Sequence, residues 1–124
     1  MLSKGVERLE VFQRAYSASL EIHQATLKFP GLEQFGLAEQ MRGASKSIAA
    51  NLAEGFAKRT SQRDFNRFVK IAIGSSDEMQ VWLRYSFDLG YIKKVQWDKW
   101  NGEYVEISKM LTGLCKAIHL NSDS

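Results

Sequence analysis

Apolar residues fall into four runs with helical spacing, separated by short polar or glycine-containing breaks. In the first, Phe12, Ala15, Ser19, Ile22, Thr26 and Phe29 step by three and four, which predicts a helix over about residues 9–28. Leu37, Met41, Ala44, Ile48 and Leu52 form the seam of a second, alanine-rich helix over about 35–57. The third, about 61–89, carries Phe65, Phe68, Ala72, Met79 and Leu83 on one side. The fourth, about 95–119, has the most regular beat: Trp97, Trp100, Tyr104, Ile107, Leu111, Leu114 and Ile118.

The breaks carry matching signals. Pro30-Gly31 closes the first helix, because proline lacks the donor that would continue it. Ser61 followed by Asp64 resembles a capping box at the start of the third. Gly90 sits where a left-handed C-cap belongs. Gly74 is mid-helix, which costs about 1 kcal/mol relative to alanine, and close packing is the expected reason. The polar tail Asn121-Ser122-Asp123-Ser124 is expected to fray. No alternation of strand type and no repeat is present. The prediction is one all-α domain over residues 1–124, an antiparallel up-down-up-down four-helix bundle.

The third helix is apolar over more than one stripe. By angular count Val69, Ile71 and Ile73 are placed outside the Phe65, Phe68, Ala72 and Met79 cluster, and Trp82, Tyr85 and Phe87 spread around the lower half. A helix apolar on several sides is buried on several sides, so subunit contacts and a homo-oligomer are expected, with a wide core stripe in a small bundle as the other reading of the same surplus.

Composition narrows the setting. The chain has 124 residues, and 44% are hydrophobic and 25% charged, as in an ordinary globular domain. No apolar run reaches the length of a membrane span, and the first residues have no signal-peptide core. The single cysteine cannot make an internal disulfide, which suits a reducing cytoplasm. No membrane partner is expected.

Charge is unevenly distributed. The net charge is +3, yet residues 42–70 hold seven Lys and Arg against two acids, while the flanking segments are each slightly acidic. The basic residues are Arg42, Lys46, Lys58, Arg59, Arg63, Arg67 and Lys70. Arg63, Arg67 and Lys70 are spaced by four and three and project roughly opposite Phe65, Phe68 and Ala72. A ridge of this kind can bind a phosphate backbone without reading bases, and it is equally well read as a solvated face or as one side of subunit salt bridges.

Other chemistry is weaker. The two histidines lack the Glu-x-x-His spacing of a di-metal bundle, so no metal is expected. Gly43 to Ser47 lacks phosphate-loop spacing and lies within a helix. Cys115 borders the fourth seam and reads as a structural thiol. Asn51, Glu54, Ser75 and Glu78 lie near the apolar boundaries of the second and third helices, and a hydrogen-bonded cluster is expected among them, fixing register rather than performing catalysis. No nucleophile, base and orienting group can be assembled, so neither enzymatic activity nor a cofactor is expected.

The stretch from Phe29-Pro30 to Phe35-Gly36-Leu37, then Gln40-Met41-Arg42 and Ser47-Ile48-Ala49-Ala50-Asn51-Leu52-Ala53-Glu54-Gly55, resembles the four-helix-bundle family encoded in intervening sequences of bacterial large-subunit ribosomal RNA genes. The likeness continues through Phe65, Phe68, Ile71-Ala72-Ile73-Gly74-Ser75, Glu78 and Leu89-Gly90-Tyr91, and covers about residues 9–118. It implies a ring-like homopentamer without an established enzymatic role. A related group, the accessory variability determinant proteins of diversity-generating retroelements, implies nucleic acid and a reverse transcriptase as partners. Two expectations follow: RNA or DNA backbone binding through the basic ridge, or a scaffold docking a polymerase or a reverse-transcriptase-like protein.

Overall fold

In the computed structural model, which describes residues 5–122, four α-helices follow one another: α1 (Glu10–Thr26), α2 (Leu37–Ala57), α3 (Gln62–Asp88) and α4 (Lys94–Ser122). Single 3-10 turns precede α1 (Val6–Arg8) and bridge α1 to α2 (Gly31–Glu33). No strand occurs among the described residues. The tail expectation falls partly outside them: α4 continues through Ser122, and positions 123 and 124 are not described.

The first seam is buried along its whole length, Phe12, Ala15, Ser19, Ile22, Thr26 and Phe29 included. On α2 the core takes Met41, Ala44, Ile48 and Leu52, and on α4 Trp100, Tyr104, Ile107, Leu111 and Ile118. Buried serine hydroxyls are accommodated by helix carbonyls: Ser19 donates to Tyr16 O at 2.7 Å, Ser86 to Trp82 O at 2.8 Å and Ser76 to Tyr104 O at 3.0 Å. These serines therefore sit in the core without stranding a donor.

The core stripe of α3 differs from the expected one. It consists of Val69, Ala72, Ser76, Met79, Leu83 and Ser86, while Phe65 and Phe68 are only half-buried. The angular count sets Val69 outside the apolar cluster, yet it is fully buried. It lies four residues after Phe65 and three before Ala72, and those steps return to the same helix face. Ile71 does point outward, at 43% exposure.

The ends of α3 follow from local chemistry. Ser61 Oγ accepts from Asp64 N–H at 3.2 Å and caps the start. At the other end Gly90 has φ +80, with Gly90 N–H bonded to Phe87 O and Tyr91 N–H to Ser86 O, the Schellman arrangement. Gly74 corrects an expectation: it is exposed, and a Cβ there would meet nothing within 4 Å. The close approach is at Gly55, where a Cβ would stand 2.9 Å from Phe68 Cβ.

Contacts between helices are specific. Gly55 meets Phe65 and Phe68, Ser47 Oγ lies 2.9 Å from Ser75 Oγ, and Ser86 Oγ contacts Met41 Sδ at 3.1 Å. Between α3 and α4, Ser108 Oγ is 2.8 Å from both Ser76 Oγ and Asp77 Oδ1. Helix α1 is tied to α4 by the Arg14–Glu103 pair, by Lys99 to Glu21 at 2.8 Å, and by Trp100 Nε1 donating to Glu21 Oε1 at 3.0 Å. No helix among the described residues is long and apolar enough to cross a membrane.

Candidate nucleic-acid interface

The buried stripe of Val69, Ala72, Ser76 and Met79 sets the rotation of α3, and with it the direction of the basic positions. Arg63, Arg67 and Lys70 are all exposed on its outer side. Among the described residues, Arg63 and Lys70 have neither an ion-pair nor a hydrogen-bond partner. The Arg67 guanidinium lies 4.7 Å from the Phe68 ring centroid. An aromatic face holds a cation in place without neutralising it.

Lys58 and Arg59 occupy the turn between α2 and α3 and extend the ridge. Lys58 Nζ bonds Glu54 Oε1 at 2.8 Å and sits 5.0 Å from the Phe68 centroid. Arg59 covers Phe56 at 4.2 Å and donates to Phe56 O at 2.9 Å. The exposed Lys58–Glu54 pair is worth little in water, so Lys58 can exchange partners at small cost.

Arg42 and Lys46 lie apart from this ridge. Arg42 is half-buried and donates to Thr26 Oγ1 at 3.2 Å, Gln34 Oε1 at 3.2 Å and Gln34 O at 3.0 Å, which joins the end of α1 to the connection and to α2. Lys46 Nζ is 2.9 Å from His23 Nδ1. It borders a groove between α1 and α2 lined by Phe12, Tyr16 and Leu20. Burial, and then the Arg42 charge, lower the pKa of Lys46. Of the seven basic candidates, five lie on the α2–α3 turn and the first turns of α3.

The expected polar cluster forms only in part. Asn51 Nδ2 donates to Ser47 O at 2.8 Å and Ser47 Oγ at 2.9 Å, and Ser75 joins through the same Ser47 hydroxyl. Glu54 turns to Lys58 instead, and Glu78 accepts from Trp82 Nε1 at 2.9 Å. Charged carboxylates one helical turn from a partner on their own helix stay in solvent, leaving the neutral groups to bridge α2 and α3. Ser47 is the hub; its place beside Ser75 comes from helix pairing, which residue spacing within one helix does not reveal.

Sequence reasoning also missed Lys116. On α4 it lines, with Asn66 and Lys70 of α3 and with Cys115 and His119, a groove of about 400 Å³. Burial raises the Cys115 thiol pKa, and nearby Lys70 partly offsets this. Among the described residues no group of three or more His, Cys, Asp or Glu could hold a metal ion.

A family model described as 23S rRNA-intervening sequence protein matches residues 7–113. Among solved structures, the chain is similar to a protein of Bacteroides thetaiotaomicron described as having unknown function and coming from the S23 ribosomal protein family. The two share 24% identity with a TM-score of 0.77, and the alignment covers 86% of this chain and 95% of that one. At that identity the likeness establishes the fold alone. No curated protein matches the chain.

Proposed function

The chain belongs to the 23S rRNA-intervening sequence protein family, and from that premise we propose that it is a non-enzymatic cytoplasmic protein that binds the phosphate backbone of RNA. Arg63, Arg67 and Lys70 carry the contact, and Lys58 and Arg59 extend it. The observation that supports this reading is the bare charge of Arg63 and Lys70 on an outward face, with no carboxylate of the described residues paired to either. Unneutralised cations in a row release phosphate counterions on binding, and affinity then falls steeply with salt.

The assembly in this reading is an antiparallel up-down-up-down bundle that closes into a homo-oligomer. A homopentamer is the form implied by the resemblance. The contact pairs Gly55–Phe68, Ser47–Ser75 and Met41–Ser86 support the antiparallel order. Outward-facing Ile71, Val81 and Tyr85 on α3, with Tyr16 and Leu20 on α1, supply apolar surface for subunit contacts. A ring would set several ridges side by side, and their fields would add.

The deciding experiment replaces Arg63, Arg67 and Lys70 together by glutamine and measures RNA binding across a salt series. Loss of low-salt binding and a shallower slope support the proposal, and unchanged binding refutes it. A second reading, a scaffold docking a polymerase or reverse-transcriptase-like partner, is favoured by the opposite end of the bundle. There Phe35 is 90% exposed, Leu32 80% and Val95 72%. A partner retained after nuclease treatment and lost on Phe35→Ser would select that reading.

A further inference from the structure

Helix α3 carries two seams. The inner one, from Val69 to Ser86, faces the core. The outer one, Ile71, Gly74, Glu78, Val81 and Tyr85, keeps the same steps of three and four and is exposed at every position. Spacing of that kind is what a helix presents to a partner helix. Gly74 lies within this seam, in open space, and gives up helix propensity that close approach by a partner would offset. Glu78 accepts from Trp82 Nε1, and among the described residues no cation pairs with it. A surface of the opposite shape lies between α1 and α2. A groove of about 330 Å³ there is lined by Tyr16 and Leu20 of α1 and by the small side chains of Ala49, Ala50 and Ala53 of α2. Lys46 borders it, and its Nζ meets His23 Nδ1 but no carboxylate of the described residues.

Resting on the homo-oligomer part of the reading above, we infer that the outer seam of α3 in one copy packs into the α1–α2 groove of a second copy, with Glu78 of the first paired to Lys46 of the second. Bulky side chains on one face and alanines on the other fit as ridge and groove. The unpaired carboxylate and the unpaired ammonium fix which face meets which. Self-pairing of the seam is disfavoured by its own chemistry. Glu78 is its midpoint, so α3 packed on α3 about a two-fold axis sets two Glu78 carboxylates against each other. A contact between two different faces is head to tail, and every copy keeps a free groove or a free seam until the assembly closes as a ring. The basic ridge ends at Lys70, where the seam begins, so the two surfaces succeed one another along α3.

The test is sedimentation velocity across a concentration series on the unmodified chain, on Lys46→Glu, on Glu78→Lys and on an equimolar mixture of the two variants. Both side chains are exposed, so circular dichroism is expected to show the same helical content in all samples. Each single substitution places like charges across the contact and should weaken self-association about tenfold or more. The mixture restores opposite charges at the contact and should associate again close to the unmodified level. Variants as associated as the unmodified chain, or a mixture no more associated than either variant alone, overturn this pairing while the oligomer stands. An unmodified chain that remains monomeric at its highest soluble concentration removes the oligomer, and the pairing with it. RNA binding through the ridge is read by its own salt series and is decided separately.

Discussion

Gly55 on α2 and Phe68 on α3 approach so closely that a Cβ at Gly55 would stand 2.9 Å from Phe68 Cβ and 3.3 Å from the Phe65 carbonyl oxygen. Neither neighbour is the free end of a flexible side chain, so the helices themselves would have to separate. Gly55→Ala gains helix propensity of about 1 kcal/mol but meets an overpacking cost of about 1–3 kcal/mol. Urea unfolding is expected to show net destabilisation. A stabilised variant would mean that α2 and α3 slide apart freely at this point.

The same substitution at Gly74 has the opposite sign. That glycine is helical and exposed, and a Cβ would find open space within 4 Å. Alanine there restricts the unfolded chain and introduces no clash, so Gly74→Ala should stabilise by about 0.5–1 kcal/mol in the same assay. If subunits of an oligomer close over this face, the gain appears in the monomer and vanishes in the assembly, which measurement across protein concentration separates.

Sequence spacing within one helix carries the fold well here because each seam repeats over several turns. Thr26 is buried at the end of α1 because it keeps the beat of Ile22 and Phe29, and its hydroxyl bonds His23 O at 3.0 Å, so polarity is no obstacle. The burial of Val69 is not legible from angular position, because the apolar residues of α3 are too numerous to define one stripe. Gly55 and Gly74 look alike in sequence, and only the pairing of α2 with α3 tells them apart. The outward placement of Arg63, Arg67 and Lys70 follows from their spacing, but Lys116 joins their edge from 46 residues beyond Lys70, where no local pattern reaches. Arg42 has the same chemistry as its basic neighbours, and its engagement depends on where the chain after Pro30 returns Gln34.

Tyr104 is the largest fully buried side chain, and its hydroxyl has no hydrogen-bond partner among the described residues. Burial, and then the charges of Glu103 and Glu21, push its pKa upward, so it stays neutral at any ordinary pH. A buried hydroxyl without a partner retains its desolvation cost and returns nothing. Tyr104→Phe should therefore raise stability by up to about 1 kcal/mol, read as an upward shift in the thermal midpoint. A loss of similar size would reveal a solvent molecule held against the phenol.

Glu21 links α1 to α4 through Lys99 and Trp100, and those bonds lower its pKa below the usual glutamate value. A carboxylate whose pKa is depressed by folding binds protons more readily when unfolded. Its stabilisation is complete above the unfolded-state value and disappears as pH falls through the lower, folded-state one. The pair is substantially solvent-exposed, so its worth at neutral pH is a few tenths of a kcal/mol and shrinks with salt. Glu21→Gln should be slightly less stable than the unmodified chain at pH 7, and the two curves should converge below about pH 4. A constant offset across that range would assign the effect to the Trp100 hydrogen bond alone.

Arg42 and Arg63 provide the sharpest separation of structural from functional charge. Arg42 makes three hydrogen bonds that fasten Gln34 and Thr26 to α2, whereas Arg63 has no ion-pair or hydrogen-bond partner among the described residues. Removing the first strands polar groups at the α1–α2 connection; removing the second disturbs only the outer potential. Arg42→Gln should lower stability by about 1–2 kcal/mol while leaving RNA affinity of the folded protein nearly unchanged. Arg63→Gln should leave unfolding unaltered within about 0.5 kcal/mol and reduce the salt slope of RNA binding by close to one. Urea titration and a salt series on both variants check this, and the reverse pattern would place the anion site on α2 instead of α3.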